Sequence, residues 1–306
     1  MLGSIIGDIV GSIYECNPIK TTNFPLFQDG CTITDDSIMT VAVAHALMDG
    51  YELDDLNMEE ELIIKMMRYY CGMYPNVGYG ALFHKWIFES NAQPYNSFGN
   101  GSAMRVASVG WLYDSLAEVL TYAKLSSAVT HNHPEGIKGA QAVAVAVYLA
   151  RTRCPKEEIK AYIEQKFGYH LDYKIDTIRQ GAFFDETCPR SIEEAIVCFL
   201  ESSSFEDAIR LAVSLGADSD TQAAIAGGIA EAYYGIPDSI IAAVSKYIPE
   251  PIQAVVDRFK FFINRKAPSH KNIIDKDLYP TTNSEHGISN IFDIMQSIKG
   301  DLFEEK

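Results

Sequence analysis

No stretch of this 306-residue chain strings together the ~18 apolar side chains that a membrane-spanning helix needs. The longest apolar runs, around 140–150 and 223–232, fall short, so no membrane partner is expected. Basic residues are scarce as well: 25 Lys and Arg face 41 Asp and Glu, for a net charge of −16. Such a balance disfavours a nucleic-acid backbone as the main partner, because phosphate contacts draw on clustered cations. No C-x-x-C pair occurs among Cys16, Cys31, Cys71, Cys154, Cys188 and Cys198. Scattered cysteines of this kind suit reduced thiols better than a disulfide framework or a zinc tetrad. The opening MLGSIIGDIVGSIYE lacks a basic leader and carries Asp8 and Glu15, unlike a signal peptide. The expected location is the cytoplasm.

Strand-like alternation, internal repeats and Pro/Gly/Ser-rich linkers are also nearly absent, whereas helical periodicity is frequent. The expected class is all-α, a compact single-domain bundle over residues 1–265. A polar extension follows at 266–306, and its 288–300 stretch is amphipathic enough to dock on the same domain. In the opening helix, Gly3, Gly7 and Gly11 recur every four residues and predict a close backbone neighbour on that face. Pro155 opens a helix, Ser191 to Glu194 reads as a capping box, and Ser204 to Asp207 echoes it. The stretch 103–113 reads as one helix.

Chemistry concentrates at helix ends. Thr34-Asp35-Asp36 opens the apolar helix CTITDDSIMTVAVAHALMDG. Its ordinary reading is a cap, with the carboxylates favoured by the helix dipole. A second set, Asp218-Ser219-Asp220-Thr221, opens another apolar helix. Two such clusters meeting in space would suit hard divalent cations, which prefer oxygen ligands. Glu15 stands at the end of the first helix, where the dipole disfavours it, and reads either as a solvated carboxylate or as a group facing a site. The loop Ser97-Phe98-Gly99-Asn100-Gly101 is either a tight turn or an anion cradle at a helix start. In Thr130-His131-Asn132-His133, no further ligands complete a zinc site. His131 reads as a phosphate donor or a satisfied buried histidine, and His133 as a capping or supporting group.

Taken together, GSIIGDIVGSIYE, TDDSIM, GNGSAMRVAS, THNHPEG and LGADSDTQAAIAGGIAEAYYG resemble the ADP-ribosylglycohydrolase family almost end to end. The resemblance implies an all-α fold with a binuclear Mg²⁺ or Mn²⁺ site that hydrolyses the glycosidic bond between ADP-ribose and an acceptor. It implies Thr34, Asp35 and Asp36 as ligands of one ion, and Asp218, Asp220 and Thr221 as ligands of the other, with Asp220 bridging. Glu15 or Asp36 would act in catalysis. Gly80, Ser97, Phe98, Gly99, Asn100 and His131 would contact the substrate, an ADP-ribosylated protein or a small ADP-ribose conjugate. Ala217 departs from the family pattern, which often has glycine there; an alanine at positive φ would reshape the second cluster's loop. Two other activities use the same residues: ADP-ribose binding without turnover, and two-metal phosphohydrolysis of a nucleotide diphosphate.

Overall fold

The computed structural model describes residues 1–51, 53, 55–90 and 93–266. Residues 1–266 form one compact unit. The expected extension beyond residue 266, including its 288–300 segment, lies outside the described residues.

The molecule is built on an antiparallel pair, α1 (Leu2–Gly11) and α13 (Ser219–Tyr234). Neither helix has a polar face: every residue of α1 from Gly3 to Gly11 is buried, as is every residue of α13 from Ser219 to Ala230. A helix apolar all round belongs in a core, and small residues let the two backbones touch. Gly3 faces Gly227, Gly7 faces Ala223, and Gly11 faces Ser219 and Asp220. A Cβ on Gly7 would collide with the Ala223 carbonyl. The four-residue glycine spacing therefore meets a backbone, as its sequence pattern predicts.

Around this pair pack α2 (Asp35–Gly50), α8 (Pro134–Arg151), α11 (Cys188–Glu201) and α12 (Phe205–Val213). Outside them lie α3 (Leu56–Met73), α7 (Leu116–Ala128), α9 (Lys156–Phe167) and α15 (Glu250–Lys266). Shorter helices complete the shell: α4 (Ala81–Phe88), α5 (Gly101–Met104), α6 (Ala107–Leu112), α10 (Ile175–Gly181) and α14 (Asp238–Val244). No strand forms among the described residues; a single bridge joins Gly99 to Thr187. No helix among them is long and apolar enough to cross a membrane.

Three local expectations are settled by capping. Pro155 precedes α9 and Ser204 caps α12, accepting from the Asp207 N–H. Ser191 is no cap. α11 starts three residues earlier at Cys188, with Pro189 in its first turn, and Ser191 donates to the Asp185 carbonyl. The full capping box instead joins Ser115 and Glu118 at α7. The helix expected over 103–113 is broken into α5 and α6 at Arg105 and Val106. At the break the Arg105 side chain is buried and bonds the Ser126 carbonyl on α7.

Candidate active site

The antiparallel pairing of α1 with α13 brings the start of α13 beside the end of α1, and α2 begins at the same end. Thr34 caps α2, its Oγ1 accepting from the Asp36 N–H at 3.3 Å. The ordinary explanation of the Thr-Asp-Asp cluster, a helix cap, thus holds. Thr221 Oγ1 donates to Asp36 Oδ2 at 3.2 Å, joining two clusters 185 residues apart in sequence. Asp8 completes the junction: one carboxylate oxygen from each of Asp8, Asp36 and Asp220 lies within 4.8 Å of the others. Asn100 Nδ2 donates to Asp218 Oδ2 at 2.6 Å and so ties the glycine-rich loop to the second cluster.

These groups form the floor of a cavity of about 370 Å³. Asp35, Asp36, Asp218, Asp220 and Thr221 line its base; Glu15 and Glu186 line an acidic side. Ser97, Gly99, Asn100, His131 and Gly80 line it as well, and the Asn100 N–H donates to the Glu186 carbonyl at 2.7 Å. Two expected residues stand apart. Thr34 lies behind Asp36, giving its hydroxyl proton to Asp8 Oδ1 at 2.7 Å. Phe98 is exposed outside the cavity, with its ring 5.2 Å from that of His133. His133 itself caps α8, Nδ1 accepting from the Glu135 N–H.

The electrostatics are those of crowded buried acids. Burial, then repulsion from Asp220, holds the carboxyls of Asp35, Asp36 and Asp218 well above the usual range. Burial first, and Asp220 second, pushes Asp8 up to about 7. Glu15 also rises to about 7, through burial and then the charges of Asp220 and Glu186. Only 2% of Asp36 is exposed, yet its Oδ1 has no hydrogen-bond partner among the described residues. Buried polar atoms are almost always partnered. Clustered carboxylate oxygens are the donors that hard divalent ions prefer, so the residues present fit such an ion, and Asp8, Asp36 and Asp220 could hold one.

The loop before Asp218 is held by Gly216 and Lys20. Gly216 takes φ +62°, and a Cβ there would lie 2.8 Å from the Ile19 carbonyl. Ala217 carries no positive φ, so the alanine is accommodated without strain, contrary to the expected reshaping. Lys20 Nζ donates to the carbonyls of Arg179, Ala182 and Leu215, the first two at 2.9 and 3.1 Å. It joins the Glu15 loop, the segment leading to Glu186 and the second aspartate cluster. Asp8, Glu186 and Lys20 are absent from the sequence-based site. Asp8 had one signal, a carboxylate inside a helix that otherwise has no charged residue.

Fold and site together define an all-helical protein that gathers carboxylates and hydroxyls from two helix starts beneath one cavity. The chain belongs to the ADP-ribosylglycohydrolase family, whose model matches residues 1–269. It is similar to ADP-ribosylhydrolase ARH3 of Homo sapiens, with 26% identity covering 78% of this chain and 86% of the relative. It is also similar to ADP-ribosylarginine hydrolase Tri1 of Pseudomonas putida, with 27% identity covering 84% and 77%. A solved structure titled ADP-ribosylglycohydrolase-related protein complex shares the fold, with a TM-score of 0.62 and 24% identity over 86% of this chain and 95% of that one.

Proposed function

We propose that the protein hydrolyses the glycosidic bond joining ADP-ribose to an acceptor, with two Mg²⁺ or Mn²⁺ ions in the aspartate clusters. The observation that carries this reading is the orphaned Oδ1 of buried Asp36 at the junction of two carboxylate-bearing helix starts. Thr34, Asp35 and Asp36 would hold one ion; Asp218, Asp220 and Thr221 the other, Asp220 reaching both. When bound, such ions orient ribose hydroxyls and acidify a water.

The chain's own groups divide the remaining work. Glu15 makes no hydrogen bond among the described residues and stays half-buried at the cavity side, free to take the proton of an attacking water. Asp36 is less suited to that role because Thr221 occupies its Oδ2 and its remaining oxygen would be taken by a cation. As the bond to the acceptor breaks, positive charge develops on the ribose ring, and the acidic groups lining the cavity would favour it. Ser97, Gly99, Asn100 and His131 would hold the diphosphate and distal ribose, with Gly80 leaving room beside them. An ADP-ribosylated protein side chain or a small ADP-ribose conjugate is the substrate.

The test is product analysis with purified protein, Mg²⁺ or Mn²⁺, and substrates mono-ADP-ribosylated on arginine or serine. Free ADP-ribose is the expected product. AMP with ribose phosphate would mean pyrophosphate cleavage, and metal-dependent ADP-ribose binding without turnover would mean a binding protein. Asp220→Ala is expected to lower metal affinity and remove most activity while leaving the helical circular dichroism spectrum intact. Near-parental activity at limiting metal would rule out the bridging role.

A further inference from the structure

One side chain outside the cavity ties together three of the segments that bring acids to it. Lys20 lies in the loop after Glu15. Its ammonium donates to the carbonyls of Arg179 and Ala182, at 2.9 and 3.1 Å, and to that of Leu215. Arg179 and Ala182 stand at the end of α10, from which the chain runs on to Glu186. Leu215 belongs to the turn that leads into Asp218.

Two further contacts hold the same place. A Cβ on Gly216 would lie 2.8 Å from the Ile19 carbonyl and 3.1 Å from Lys20 Cε, so the loop after Glu15 rests directly on that turn. Arg179 reaches the turn from α10, its Nε donating to the Ser214 carbonyl at 3.2 Å and its Nη2 to Ser214 Oγ at 2.8 Å. The choice of acceptors is informative. An ammonium has three protons and no acceptor, so the three carbonyls use it fully. Paired with Glu15 or Glu186 instead, it would occupy a carboxylate oxygen and favour the ionised form. Spent on carbonyls, it fixes the main chain and leaves both carboxylates to the cavity that they line.

We propose that Lys20 is a positioning residue of the reaction, setting Glu15, Glu186 and Asp218 relative to one another through their main chains. The proposal rests on the reading of Glu15 as proton acceptor and of Asp218 as an ion ligand.

The test compares Lys20→Met, which keeps the stem and removes the donors, with the conservative Lys20→Arg. Lys20 is exposed, so neither change enters the core, and thermal melts check that both variants fold. Hydrogen–deuterium exchange of metal-free Lys20→Met is expected to quicken at 182–188 and 214–218, with α8 unchanged. Those segments report well, since the Cys188 N–H bonds the Phe98 carbonyl at 2.9 Å and the Gly216 N–H bonds the Val213 carbonyl at 3.1 Å. Mn²⁺ affinity should fall about fivefold. On an ADP-ribosylated substrate, kcat should fall about ten- to hundredfold while KM changes less than about twofold. Lys20→Arg should recover most of each loss. Faster exchange confined to residues 15–22 would overturn the tie itself. Faster exchange in both remote segments, with Mn²⁺ affinity and kcat unchanged, would overturn the positioning role and leave a structural contact. A parent protein that releases no ADP-ribose would count against the proposed function instead, and exchange with Mn²⁺ affinity would still decide what Lys20 holds.

Discussion

Asp8 accepts four hydrogen bonds: from the N–H and hydroxyl of Thr34, at 2.9 and 2.7 Å, and from the N–H of Ser37, at 3.1 Å, and its hydroxyl. An ionised carboxylate has about four lone-pair sites, so Asp8 is saturated although it stands within reach of Asp36 and Asp220. It acts as a brace that fixes the first turn of α2, and with it the angle at which Asp35 and Asp36 enter the cavity. An amide in its place would turn a donor toward donors. With Mg²⁺ present to offset the change in charge, Asp8→Asn is expected to cost about 3 kcal/mol in urea unfolding. Mn²⁺ affinity should fall with it. Parental stability and affinity in this variant would leave the brace without support.

At the scale of elements, the α1–α13 contact sets the register of the site, since Gly11 lies against Ser219 and Asp220. Gly7→Ala places a Cβ against the Ala223 carbonyl, a backbone group that cannot rotate away. The expected cost is about 2–3 kcal/mol, read as a lower denaturation midpoint. Gly72→Ala in α3, where a Cβ meets nothing within 4 Å, is the control and should be neutral or slightly stabilising. A Gly7→Ala variant as stable as the control would mean that the helices can slide apart at little cost. The glycine spacing made this packing face legible in the sequence, but not its partner, because pairing across the whole chain is a tertiary choice. Helix starts show the same division. Thr34 and Ser204 were legible because their caps are local, whereas Ser191 resembled a cap and is spent on Asp185 and Asn100. The clusters at 34–36 and 218–221 were visible as motifs. Asp8 and Glu186 were not, since neither has a neighbour in sequence that shares its task.

For the whole molecule, the buried acids couple folding to pH and, on the proposed function, to cations. A carboxyl whose folded pKa exceeds its unfolded value binds more protons in the folded state between those two values. Stability then falls as pH rises through that window. Asp8 and Glu15 set it between about 4 and about 7, and Asp35, Asp36 and Asp218 shift the same way. Metal-stripped protein is therefore expected to melt higher at pH 5.5 than at pH 8, by at least about 5 °C, the equivalent of roughly 2 kcal/mol. The net charge of −16 pushes in the same direction through surface repulsion. Two controls separate the causes. Added salt screens the surface charges and acts weakly on buried ones, so the slope should survive in 0.5 M NaCl. Asp36→Asn removes one buried charge and should flatten it. Mg²⁺ or Mn²⁺ competes with protons for the same oxygens, so its stabilisation should be larger at pH 8 than at pH 5.5. A metal-free melting temperature that rises from pH 5.5 to pH 8 would show that these acids ionise in the folded protein without a cation, and the orphaned Asp36 oxygen would then need another partner.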